Sequence, residues 1–157
     1  MDFDKTDVHL LTLLQEDGRR SIVELAESCG LSQTPCARRV RQLEQAGVIQ
    51  SYAAIISPAE LGLKVQAFVE VKLERHTEEN VELFRRTIDA IDEIVSCQAT
   101  TGEYDFMVQV ICHDLEALSG IVLKRLLKIK CVRDVHSSIV LDTVKHSVRV
   151  PLGGLRR

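Results

Sequence analysis

Apolar residues recur at helical spacing over residues 4–45 and at strand spacing beyond residue 64. Val8, Leu11 and Leu14, with Leu10 beside them, form a stripe that predicts a first helix over residues 4–15. Asp4 and Asp7 lie at its positive end, and Asp17-Gly18 closes it. Ser21 followed by Glu24 is a capping box for a second helix, whose buried side carries Ile22, Leu25 and Ala26. Cys29-Gly30-Leu31 forms the turn, with Gly30 suited to a left-handed cap. A third helix starts near Ser32. Pro35 in its first turn gives up no helical hydrogen bond, and Ala37, Val40 and Leu43 are expected to face the core. Gly47 stops it, and residues 48–50 and 52–56 are expected to be two short strands forming a small wing.

The period then changes. In the run 65–73 every odd position is apolar, so one face of a strand is buried, while Phe68 stands on the other. Thr77 caps a helix reaching Ala90, with Val81, Phe84, Ile88 and Ile91 along one side. A strand at 94–100, a turn at Thr101-Gly102-Glu103 and a strand at 104–112 follow. Asp114 caps a helix expected to bury Leu115, Leu118, Val122 and Leu126, and residues 132–142 form a fourth strand. Val148 and Val150 hint at a fifth edge strand before a frayed end. The fold class is α+β. A winged helix-turn-helix over residues 1–62, linker included, precedes a ferredoxin-like βαββαβ domain over residues 63–157. Both helices of that plan cover one face of the sheet. Phe68, Met107 and Ile111 lie on the other, where a second copy of the chain is the expected cover; isolated surface hydrophobes are the plainer alternative.

Composition narrows the partners. Hydrophobic residues at 45% and scarce proline exclude a mainly disordered chain. No run approaches about 18 apolar residues, and the N-terminus is acidic, so a cytoplasmic protein free of membrane is expected. Five cysteines without a pairing pattern are expected to be reduced; Cys36, in the third helix, is a marginal redox candidate if exposed. The histidines are scattered, and neither a metal-ligand spacing nor a catalytic motif is present; no cofactor and no enzymatic activity are expected. The third helix gathers Arg38, Arg39 and Arg41, a layout suited to a DNA major groove. Gln33, Thr34 and Arg38 are the candidates for base edges, and Arg39, Arg41 and Gln42 for phosphates. Residues 1–60 nevertheless hold six Lys and Arg against nine Asp and Glu. One head is therefore a weak binder of double-stranded DNA, and several must act together. The competing readings are a solvated arginine face and a helix-turn-helix that binds protein partners.

The chain resembles the Lrp/AsnC family, the feast/famine regulators of bacteria and archaea. The resemblance rests on residues 4–56 and on the segment TTGEYDFMVQV, and it extends over nearly the whole chain. It implies a sequence-specific transcriptional regulator whose dimers assemble into octamers or similar rings and respond to a small effector, an amino acid. It also implies an effector site at Thr101, Gly102, Glu103, Tyr104 and Asp105, faced by His136, Ser137 and Ser138. Gly102 permits close approach of a ligand, Asp105 suits an α-amino group, and Ser137 or Ser138 a carboxylate. Plain turn chemistry is the alternative for Gly102 and Asp105, and edge-strand polarity for the serines.

Overall fold

A computed structural model describes residues 3–155; Met1, Asp2, Arg156 and Arg157, and with them the outer ends of both expected domains, lie outside the described residues. The chain divides into two compact units. One runs through Ile55 and takes in the tail from Lys145 onward; the other is Ile56–Val144. By compactness the tail groups with the N-terminal unit.

In the first unit, α1 (Lys5–Glu16), α2 (Ile22–Cys29) and α3 (Gln33–Gln45) follow the expected plan. Asp4 and Asp7 form a capping box on α1, and Ser21 and Glu24 form one on α2. Gly30 closes α2 at φ 64°, a conformation that β-carbon crowding denies most other residues. The core joins Leu10, Leu13, Leu25, Ala26, Cys36 and Val40. Two expectations are corrected. Cys36, not Ala37, takes the buried place in α3, completing the stripe Cys36, Val40, Leu43 at helical spacing. The wing strands are absent among the described residues: residues 48–56 carry no strand. A ribbon of two strands as short as residues 48–50 and 52–56 is marginal alone, and Ile55 and Ile56 stay exposed, so the alternation has nothing to bury against.

In the second unit, β1 (Val65–Leu73), β2 (Ile94–Ala99), β3 (Phe106–Cys112) and β4 (Val132–Ile139) form one antiparallel sheet in the order β2-β3-β1-β4. This is the expected βαββαβ arrangement. Thr77 caps α4 (Glu78–Asp89), and Asp114 caps α5 (Leu115–Ser119), which continues as a wider π-helical segment over Gly120–Leu126. The wider turn shifts the phase of the helix. Leu118, Ile121 and Leu126 are buried, whereas Leu115 is exposed, against the expected stripe. Ala67, Val69 and Val71 of β1 and Phe106, Val108 and Val110 of β3 meet Phe84 and Ile88 of α4 and Leu118 and Ile121 in one core. β4 ends at Ile139, three residues before the expected limit, and no fifth strand forms among the described residues; residues 141–150 are exposed.

Candidate nucleic-acid interface and effector site

α3 owes its orientation to its buried stripe. With Cys36, Val40 and Leu43 facing inward, the residues offset around the helix face out: Gln33, Thr34, Arg38, Arg41 and Gln42 are all exposed. Thr34, Arg38 and Arg41 follow one another at intervals of four and three, so they share one line along the outer face. Ser32 flanks the N-terminus in extended geometry, and its hydroxyl makes no capping bond. The first-turn N–H groups are therefore open, in a region where the helix dipole favours negative charge. Among the described residues, neither Arg38 nor Arg41 enters an ion pair.

Arg39 differs. One guanidinium nitrogen reaches Asp4 Oδ2 at 2.7 Å and Asp7 Oδ1 at 2.8 Å. Asp7 is buried, and these two hydrogen bonds hold the Arg39 guanidinium all the more firmly charged. Arg39 is thus engaged in bracing α3 against the start of α1. The signal in the sequence was the pair of acids three residues apart at a helix start, read there only as dipole complements. A second brace was missed: the Tyr52 hydroxyl donates to Glu44 Oε1 at 3.0 Å, tying the segment after α3 back to it. Burial, and then Glu44, pushes the Tyr52 hydroxyl up to about 12. Cys36 is fully buried, and burial pushes its thiol up, which removes the redox reading. Cys97 instead is the exposed cysteine.

The effector candidates separate when the sheet register is applied. His136 lies opposite Glu70, and Ser138 opposite Phe68, both on the open face. Ser137 lies opposite the buried Val69 and shares the helix-covered side. Neighbouring residues of a strand point to opposite faces, so Ser137 and Ser138 cannot serve one ligand on one face. The Tyr104 ring sits 6.5 Å from that of His136. Burial, then Asp134, Glu103 and Glu70, raises the Tyr104 hydroxyl, with Arg133 opposing them. Thr101, Gly102 and Glu103 form an exposed loop beside it, and Gly102 sits at φ 127°, where a β-carbon would be strained although nothing crowds it.

Asp105 is turned inward. Its Oδ2 accepts from the Leu73 N–H at 2.8 Å, and Oδ1 lies 3.3 Å from His76 Nδ1 and 3.7 Å from Lys72 Nζ. Burial opposes its charge, but the Leu73 N–H, Lys72 and His76 outweigh it and hold the carboxyl below its usual value. That is turn chemistry, anchoring the loop to the end of β1. On the same open face Phe68 faces Gln109, with Met107 and Ile111 diagonal to it on either side, so the three expected interface residues form one patch.

Among the described residues, no helix is long and apolar enough to cross a membrane, and no group of three His, Cys, Asp or Glu could hold a metal.

Two family models match the chain. The Lrp/AsnC ligand binding domain covers residues 66–150, and the winged helix-turn-helix DNA-binding model covers residues 3–50. The leucine-responsive regulatory proteins of Escherichia coli K12 and Salmonella typhimurium are each 36% identical over 149 residues, spanning 95% of this chain and 91% of theirs. A transcriptional regulator from Neisseria meningitidis, crystallised as a complex with L-Met, superposes with a TM-score of 0.93 at 42% identity, covering 98% of this chain and 99% of that one. The AsnC protein of E. coli superposes at 0.88 with 25% identity, covering 96% of this chain and all of the other.

Proposed function

The chain belongs to the Lrp/AsnC family of DNA-binding transcriptional regulators, and on that premise we propose that α3 addresses DNA from several copies at once, under control of an amino acid bound by the C-terminal domain. The observation that carries this reading is the unpaired outer line of α3. Gln33, Thr34 and Arg38 meet base edges, while Arg41 and Gln42 hold phosphates. Arg39 acts as a brace, since its charge is already engaged by Asp4 and Asp7.

Multiplicity comes from the open sheet face. Phe68, Met107 and Ile111 are covered by a second copy, and dimers made this way assemble further, to an octamer or similar ring. The effector is an amino acid, a reading that the L-Met complex of the Neisseria relative supports. It binds at the corner of Thr101, Gly102, Glu103, Tyr104, His136 and Ser138, where the Glu103 carboxylate suits an α-amino group. Asp105 positions the loop, and Ser137 stands outside the site. The protein works in the cytoplasm, where its DNA lies.

A gel shift on DNA upstream of the protein's own coding sequence tests the reading, with and without each of the twenty amino acids. Wild type shifts the DNA, and Arg38→Ala or Arg41→Ala weakens binding by about tenfold each while leaving the oligomer intact. No shift at low salt from an intact oligomer would turn the head toward a protein partner instead.

A further inference from the structure

The outer face of α1 is occupied by this chain's own tail. The Val150 N–H donates to Gln15 Oε1 at 2.6 Å, and Gln15 Nε2 donates to the Val150 carbonyl at 3.4 Å. One side-chain amide thus satisfies both backbone groups of a single residue, as a neighbouring strand would. Val8, Thr12 and Gln15, one helical turn apart, line a cavity of about 270 Å³ together with Arg149, Val150, Leu152 and Gly153. Val8 is only 6% exposed, yet it stands apart from the cluster of Leu10, Leu13, Leu25, Cys36 and Val40. Leu152 is half-buried, whereas residues 145–151, 153 and 154 are exposed. Charge also matches: residues 145–155 carry Lys145 and Arg149 and no acid, whereas residues 1–55 hold six Lys and Arg against eight Asp and Glu.

We propose that residues 145–155 are a strap whose receptor is the outer face of α1, and that the Gln15 clamp makes it a second tether for the DNA head. Chain connectivity gives this a consequence. The head leaves for the C-terminal domain through residues 56–64, and the strap returns from β4 through residues 140–144. A head held at two points explores fewer orientations than a head held at one, so several heads engage DNA at a smaller entropic cost. The tether stands on the hydrogen bonds alone; its effect on DNA affinity rests on the DNA-head reading above.

The test uses the full-length protein, its Gln15→Leu variant and a chain stopped after Val144. Hydrogen exchange at the Val150 amide is slowed in the wild type by at least about tenfold relative to a free peptide, as expected for a hydrogen-bonded amide. In Gln15→Leu it exchanges freely while α1, α2 and α3 stay protected. Free exchange of Val150 in the wild type overturns the strap. DNA affinity falls on the order of tenfold in both variants, with the oligomer unchanged; equal affinity in all three proteins overturns the tether. A wild type that protects Val150 but shifts no DNA overturns the DNA-head reading and the tether's effect on affinity, and leaves the strap standing. A photo-reactive residue in place of Thr12, which lines the same cavity and leaves the Gln15 clamp intact, captures the tail in a band of monomer mass. Capture only at dimer mass assigns the strap to the partner's tail and overturns the tether within one chain.

Discussion

The two units are built with different reserves. The C-terminal unit buries Val69, Val71, Phe84, Val108, Val110 and Leu126 completely, between a four-stranded sheet and its helices. The N-terminal unit has a smaller core around Leu10, Leu25 and Cys36, and it adds polar fasteners: two capping boxes, the Asp4–Arg39–Asp7 brace and the Tyr52–Glu44 bond. The difference assigns labour. A small head held by fasteners presents one exposed arginine line, and a well-packed body carries the open apolar face that we propose as the seat of assembly. Affinity is then a property of the assembly and orientation a property of the head.

This contrast can be broken from either side. The largest effect is expected in the body. Phe84, fully buried with its ring 4.7 Å from that of Phe106, costs about 4 kcal/mol when changed to Ala. Thermal denaturation followed by methyl NMR should then show the body melting first while the isolated head signals persist; simultaneous loss would mean that the units fold as one. Arg39→Ala is expected to cost the head about 2 kcal/mol, between the values for exposed and buried ion pairs. The same denaturation curve, read from α1–α3 signals, checks it, and an unchanged head midpoint would return Arg39 to the DNA surface. Ser21→Ala removes one capping box at about 1 kcal/mol, and should act on the head midpoint alone. The smallest effect is expected with pH. The Asp105 carboxyl lies below its usual 3.8 when folded, so its contribution is complete above that value and is lost as pH falls through the folded value. Exchange at the Leu73 amide should therefore quicken only below about pH 3.8, with the head unaffected.

Much of this was legible in the sequence because periodicity and capping are local. The sequence alone locates β1 over residues 65–73, and Ser21, Thr77 and Asp114 as caps, because each signal lies within a few positions of its effect. What was not legible depends on contacts distant along the chain or on the absence of a partner. Asp7 and Arg39 are far apart in sequence, and so are Asp105 and Leu73. Only the register reveals which face each serine takes, Ser138 opposite Phe68 and Ser137 opposite Val69. Alternation alone suggests the wing and the fifth strand, but a strand also needs a ladder beside it, and Ile55, Ile56, Val148 and Val150 find none among the described residues. The π-helical turn at Gly120 shifted the buried side of α5 without a compositional warning.

The central claim is that the arginine line of α3 works only in multiple copies gathered by the open sheet face. Phe68→Glu tests it most directly, with molar mass by light scattering and DNA affinity measured on the same sample. The account predicts a folded monomer whose DNA affinity is lower by on the order of a hundredfold. A Phe68→Glu protein that keeps its assembled mass, or a monomer that binds DNA as tightly as the wild type, would contradict it.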